Sequence, residues 1–276
     1  MDAKSIVEQN PKIKLNSGQL IPQVGLGVYK LAGEFATPLI LQAIEVGYRR
    51  IDTAAFYGNE PEVGEAVRRS GLDREELFVT TKIWKDDHGY DRALEAIDES
   101  LARLNIDYID MLLIHWPSPK INKFVDTWAA FQKAQESGKI RGIGVSNFQP
   151  AHLETLLAAG GAVPALNQVE LHPGLQQAQL RTFDAAHGIA TEAWSPLARG
   201  RFNDNPVIEK ICAKHDRTAT QVIVRWHLQL GNLVIPKTAT ASRLPENISV
   251  FDFELDDTDM AAIATLDSDL RTGPHP

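Results

Sequence analysis

Along most of the chain, short β-branched runs alternate with longer segments whose apolar residues recur at helical spacing. The strand-like runs are "VGLGV", "RRIDTA", "LFVTTKI", "IDMLLIHW", "IRGIGVSN", "LNQVEL", "IATEAWSPL" and "LVIPKT", eight in all. Between them lie "TPLILQAIEVG", "DRALEAIDESLARL", "VDTWAAFQKAQESG", "QAQLRTFDAAHG" and "ATQVIVRWHLQLG", several closed by a glycine suited to a helix C-terminus. A strand–helix unit repeated in this way predicts a closed (β/α)8 TIM barrel of the α/β class. Ahead of it, "KIKLNSGQLIP" alternates around Asn16, Ser17 and Gly18 and predicts a β-hairpin. Near the end, "LDDTDMAAIATL" predicts a closing helix. No low-complexity linker or composition shift divides the chain, so residues 1–276 read as a single domain.

The alternative architecture is an open, doubly wound sheet, which would carry G-x-G-x-x-G after its first strand. The first strand here runs into "GLGVYK", where Lys30 stands in place of the third glycine, and no glycine-opened helix follows. The fingerprint is incomplete, which favours the barrel.

With 276 residues and 43% hydrophobic content, the chain is long enough to bury about three quarters of its surface in one domain. Its formal net charge is −8, so there is no general basic field to hold nucleic acid or an anionic membrane. Any anionic ligand must be met by a local cluster. The single cysteine, Cys212, lies in the helical-looking "VIEKICAKH" and reads as a small buried hydrophobe, so neither a disulfide framework nor a cysteine metal site is expected. "MDAKSIVEQNPKIK" lacks the apolar core of a signal peptide, and no apolar run approaches about 18 residues. A cytoplasmic location is the expectation.

In such barrels the chemistry collects at the C-terminal ends of the strands. The second strand delivers Asp52, with Tyr57 just after it, the third Lys82 and the fourth His115. The fifth ends in Ser146 and Asn147, the sixth carries Gln168 and Glu170, the seventh Trp194 and Ser195, and the eighth Lys237 and Thr238. Acid, phenol, amine and imidazole from adjacent strands can meet at one mouth. There, Lys82 would lower the Tyr57 pKa, Asp52 would hold the lysine charged, and a neutral His115 would donate one hydrogen bond to a substrate carbonyl. Together they describe proton donation to an oxygen on which negative charge develops. Each residue has a structural alternative: an Asp52–Lys82 ion pair at the rim, a core histidine, a packing tyrosine. Tyr29, Phe56, Trp84 and Trp116 flank these groups and predict an aromatic mouth for a partly apolar carbonyl compound, with simple rim packing as the alternative. In "IPKTATASRLPENISV", a strand end, a helix start and the cations Lys237 and Arg243 together would make a phosphate site, with a solvated helix start carrying casual charges as the alternative; Glu246 and Asn247 could meet an adenine edge.

The stretches "GYRRIDTAAFYGNEPEVG", "IRGIGVSNF" and "IPKTATASRLPENISV" resemble, in order and spacing, signatures of the aldo-keto reductase superfamily, and the likeness covers nearly the whole chain. It is nearest to the short bacterial and protozoal members typified by 2,5-diketo-D-gluconate reductase. The resemblance implies an NADPH-dependent carbonyl reductase without a metal, of broad range, acting on dicarbonyls and aromatic aldehydes. It implies a tetrad of Asp52, Tyr57, Lys82 and His115 with Tyr57 as the acid. Ser146, Asn147 and Gln168 would hold the nicotinamide carboxamide, Trp194 would stack on the ring, and Ser195 and Leu197 would line the pyrophosphate path. Lys237, Thr238 and Arg243 would take the 2′-phosphate, and Glu246 and Asn247 the adenine. Family habit implies a monomer. "TATAS" after Lys237 lacks further arginines, which leaves weaker use of NADH open. Arg50 stands where the family usually has histidine or a small residue, and the sequence offers no reason for it.

Two rivals use other chemistry. A cofactor-sensing scaffold would bind NADPH with little turnover. A Schiff-base aldolase would also set a lysine at a strand end, but leaves the phosphate-like cluster without a purpose. A metal-dependent barrel hydrolase is disfavoured because no H-x-H pair ends a strand.

Overall fold

The computed structural model describes residues 3–276. A short helix, α1 (Ala3–Gln9), and an antiparallel hairpin, β1 (Lys12–Lys14) with β2 (Leu20–Pro22), precede the barrel. Helix α1 buries only Ile6, so its sequence carries almost no apolar stripe by which to recognise it. Leu15 and Ile21 of the hairpin region pack with Phe78, Met111, Leu113, Leu166 and Leu233 from inside the barrel. The hairpin therefore plugs one end and leaves the chemistry to the other.

Eight parallel strands follow: β3 (Leu26–Gly27), β4 (Arg50–Asp52), β5 (Phe78–Ile83), β6 (Ile109–Ile114), β7 (Ile140–Ser146), β8 (Leu166–Glu170), β9 (Ala190–Trp194) and β10 (Leu233–Val234), each paired with its neighbour in sequence. A parallel bridge between Val24 and Val234, with the Gly25 N–H donating to the Val234 carbonyl at 2.9 Å, joins last strand to first. The ring closes as the strand–helix alternation predicts. Every residue of β5 and β6 is buried, because a parallel strand is covered by helices on one side and by the barrel interior on the other.

Helices α2 (Ala36–Val46), α3 (Glu60–Arg69), α4 (Tyr90–Leu104), α5 (Phe124–Glu136), α6 (Pro150–Ala159), α7 (Ala178–Ala186), α8 (Pro206–His215) and α9 (Ala219–Gln229) form the outer layer. Their ends are chemically marked. In α3, Glu60 and Glu62 occupy the first turn and Arg68 and Arg69 the last, matching the helix dipole at both ends. In α9, Thr218 and Gln221 form a capping box. Two further helices, α10 (Arg243–Ile248) and α11 (Asp257–Ala264), follow β10, and α11 is the closing helix expected from "LDDTDMAAIATL".

The period-2 alternation of strands decides what reaches the site. In β4, Ile51 joins the apolar layer beneath the helices, worth roughly 1.5–3 kcal/mol. Its neighbours Arg50 and Asp52 turn to the barrel interior, where each makes side-chain bonds to distant strands. Among the described residues, no helix is long and apolar enough to cross a membrane.

Candidate active site

The segment after β4 is locked before it reaches the mouth. Thr53 donates its hydroxyl to the buried Asn59 at 2.6 Å, and Asn59 donates to the carbonyls of Val28 and Leu31 at 2.9 and 2.6 Å. Between these anchors a single 3-10 turn, Ala55–Tyr57, ends at Gly58 with φ +68°, a left-handed position that glycine adopts without strain. The turn carries Tyr57 to the mouth.

Lys82, on β5, is fully buried. Its Nζ donates to Asp52 Oδ1 at 2.5 Å and to the Thr53 carbonyl at 2.7 Å, and lies 5.1 Å from the centre of the Tyr57 ring. His115 follows β6, its ring centre 5.7 Å from that of Tyr57. The four residues predicted as a tetrad thus meet at one point.

Their protonation follows from burial and from one another. Burial would strip Lys82 of its proton, but Asp52 and Tyr57 beside it outweigh that and raise its pKa. Burial, and then the Lys82 charge, hold His115 well below the ordinary imidazole value. It is neutral and able to donate one hydrogen bond. Tyr57 corrects the sequence expectation. Lys82 does pull the phenol down, but burial pulls it up more strongly and Asp52 adds to that, so the net shift is upward. The phenol stays protonated at neutral pH, as a proton donor must.

The amide-bearing residues sit beside this cluster. Ser146 donates its hydroxyl to the Gln168 carbonyl at 2.8 Å, and Asn147, at φ +64°, donates to the His115 carbonyl at 3.0 Å and accepts from Trp194 Nε1 at 2.9 Å. Gln168 Nε2 donates to Asp52 Oδ2 and to Glu192 Oε2, both at 2.7 Å. Arg50, which the sequence leaves unexplained, donates to the other oxygen of Glu192 in a buried ion pair.

One cavity of about 680 Å³ joins these groups. Tyr29, Phe56, Trp84 and Trp116 line it with Tyr57 and His115, and Phe56 stacks on Trp84 with ring centres 4.0 Å apart. Ser146, Asn147, Gln168, Trp194, Ser195 and Leu197 line it too, as do Lys237 and Arg243. Thr238, Glu246 and Asn247 do not. The Thr238 hydroxyl bonds to Thr240, and Asn247 is buried in α10.

Sequence reasoning missed several lining residues, among them Lys30, Arg199, Gly273 and Pro274. It also missed Glu192. For Glu192 a signal existed, since it stands two positions before Trp194 on an alternating strand. For Gly273 and Pro274 none did, because an irregular tail has no period to read. The volume suits a ligand of cofactor size, and the cations and amides along its wall suit phosphate and carboxamide groups. Among the described residues, no group of three or more His, Cys, Asp or Glu could hold a metal ion.

Comparison with known proteins agrees with this geometry. The model of the Aldo/keto reductase family matches residues 23–268. The methylglyoxal reductase DkgA of Escherichia coli (strain K12) is 48% identical, over 96% of this chain and 96% of that protein. The glyoxal reductase of Bacillus subtilis (strain 168) is 49% identical, over 96% of this chain and 95% of that one. Among solved structures, a Gox0644 mutant in complex with NADPH superposes with a TM-score of 0.93 at 44% identity, covering 96% of this chain and 97% of the other. The chain belongs to the aldo/keto reductase family.

Proposed function

We propose that this protein reduces small dicarbonyl compounds of the methylglyoxal and glyoxal kind, with Tyr57 as the proton donor. The reaction class, reduction of an aldehyde or ketone to an alcohol with NADPH, follows from the family. The dicarbonyl substrates rest on the names of two relatives that match nearly the whole chain, and the aromatic walls extend the range to aromatic aldehydes. The observation that carries the residue roles is the contact chain from Asp52 through the buried Lys82 to Tyr57, whose two ends line a cavity also lined by Lys237 and Arg243.

NADPH, when bound, supplies the hydride. The protein supplies position and charge. Lys237 and Arg243 are the residues that would hold the 2′-phosphate, with Thr238 behind them; Glu246 and Asn247 are assigned to the adenine. Ser146, Asn147 and Gln168 would take the carboxamide, Trp194 would bound the ring on one face, and Ser195 and Leu197 would follow the pyrophosphate. His115 donates a hydrogen bond to the carbonyl oxygen of the substrate. Tyr57 gives its proton to the same oxygen as it becomes an alkoxide, and the Lys82 ammonium stabilises the phenolate left behind. Asp52 keeps Lys82 charged and in place.

The state of Lys82 argues against a Schiff-base aldolase, because an amine nucleophile must be neutral and here the ammonium is favoured. A monomeric, single-domain working unit in the cytoplasm is what we propose, on the likeness to the aldo/keto reductase family. The test is oxidation of NADPH with methylglyoxal, glyoxal and a nitrobenzaldehyde, comparing native protein with Tyr57→Phe. We expect kcat to fall by roughly 10²–10⁴-fold with NADPH binding retained. Equal rates would remove Tyr57 from its role, and tight NADPH binding without turnover on any carbonyl would support the sensor reading instead.

A further inference from the structure

We propose that Arg50 is a positioning residue of this active site, acting through Glu192 and Gln168 on Asp52. The proposal rests on the tetrad assignment above.

Arg50 and Glu192 are each 1% exposed and lie inside the barrel. One terminal Arg50 nitrogen donates to Glu192 Oε1; the second terminal nitrogen donates to the carbonyls of Gln23 and Val234 at 3.1 and 2.9 Å, across the seam where the ring closes. The guanidinium has space only because residue 25 is glycine. A Cβ there would stand 2.5 Å from Arg50 Nε. From the second oxygen of Glu192 the bonds run without a break. Gln168 Nε2 donates to Glu192 Oε2 and Asp52 Oδ2, and Lys82 donates to Asp52 Oδ1. Four charged side chains from three strands and one amide thus form a single chain of alternating donors and acceptors.

Gln168 is the point of decision. With both amide protons given to carboxylates, only its carbonyl oxygen is left to meet a ligand in the cavity it lines. That orientation requires Glu192 to accept. A buried glutamate without a cation takes up a proton and becomes a donor, and the amide of Gln168 would then turn its oxygen toward Glu192 and lose its hold on Asp52. Burial already raises the Glu192 carboxyl, and Arg50 is the largest influence holding it down. The other charged groups facing Glu192 are Asp52 on β4 and Lys82 on β5; β8 contributes the uncharged Gln168. Arg50 therefore fixes an amide two bonds away and, through it, the carboxylate that holds Lys82.

The experiment uses full-length protein, kcat against pH with NADPH and methylglyoxal, and thermal melts. Arg50→Met combined with Glu192→Leu replaces a buried pair by apolar groups, a change that folded proteins tolerate well. We expect a Tm near native and a kcat lower by about 10²-fold, because Gln168 has lost the Glu192 acceptor that, with Asp52, fixes its orientation. Glu192→Gln alone leaves the Arg50 charge unpaired and removes a negative charge that acts on Lys82 beside Tyr57. It should move the alkaline decline of kcat to lower pH by about one unit, since the added positive charge favours phenolate. Native kcat in the folded double variant, or an unmoved decline in Glu192→Gln, would overturn the proposal, because a pair with a merely structural role changes Tm and nothing else. Tyr57→Phe, run alongside, separates the two readings. If it is inactive while the double variant is fully active, only the role of Arg50 fails; if it is fully active, the tetrad assignment fails first.

Discussion

Glu170 Oε1 accepts both the backbone N–H of Thr272, at 2.5 Å, and its hydroxyl, at 2.6 Å. Glu170 ends β8, two residues after Gln168, so these bonds fasten the chain's last residues to the barrel mouth. Burial raises the carboxyl, but hydrogen bonds from His172 and Thr272 outweigh it and hold the pKa at about 2. The acid therefore stays ionised, with its grip on the tail intact, until pH falls through that value. Gly273 then lies against Trp194, where a Cβ would stand 2.5 Å from the indole. Glu170→Ala should release residues 271–274. Losing bonds to a charged acceptor, worth about 1.5–3 kcal/mol, should speed hydrogen exchange at the Thr272 and Gly273 amides by roughly tenfold or more and raise KM for the carbonyl substrate. Unchanged exchange would show that packing alone holds the tail.

Lys237 and Arg243 are exposed yet line the same cavity as Tyr57. Burial, followed by repulsion from Lys30, lowers the Lys237 pKa, and a bound anion would offset both. Arg243→Ala should raise KM for NADPH by roughly tenfold or more, the worth of one charge-assisted bond, and change KM for NADH little. Steady-state kinetics with the two cofactors side by side measure the ratio. An equal rise for both would move Arg243 away from the 2′-phosphate.

The barrel was legible because its signal is collective. Eight alternations of short apolar runs with helical segments survive an error in any one element, and the polar residue at each strand end follows from the barrel geometry. Asp52, Lys82 and His115 could be placed at one mouth for that reason. What could not be read depends on distance across the ring. Arg50 faces Glu192 across 142 positions of sequence, a pairing that no local pattern encodes, and the net charge effect on Tyr57 depends on a degree of burial that composition does not give. Helix α1 and the tail at 271–274 were silent because neither carries a periodic apolar face.

Phe56 is half exposed and stacks on Trp84 with ring planes 19° apart, and His115 meets the edges of both rings. This wall should matter more to a flat aromatic aldehyde than to methylglyoxal. Phe56→Ala removes a stacking surface worth about 0.5–1.5 kcal/mol beyond its area. KM for nitrobenzaldehyde should rise by up to about tenfold, while kcat/KM for methylglyoxal stays within about twofold. Parallel losses on both substrates would mean that Phe56 holds Tyr57 or His115 in place.

Asp184 predicts how stability depends on pH. It is fully buried in α7, accepts from the Thr191 hydroxyl at 3.0 Å and from Asn167 Nδ2 at 3.4 Å, and among the described residues has no cation beside it. Burial outweighs those bonds and pushes its pKa up to about 7, against about 3.9 in an unfolded chain. Between those values the folded protein binds the extra proton. The carboxyl's contribution to stability is thus complete below about pH 4 and lost as pH rises through 7, at most about 4 kcal/mol in all. The carbonyl oxygen of Asn167, buried without a partner among the described residues, is an acceptor that a protonated Asp184 could satisfy. Asp184→Asn would offer the same donor at every pH. Its urea midpoint should match the native protein near pH 4 and exceed it progressively toward pH 8, flattening the native decline. A native decline equally steep in Asp184→Asn would assign it to other groups.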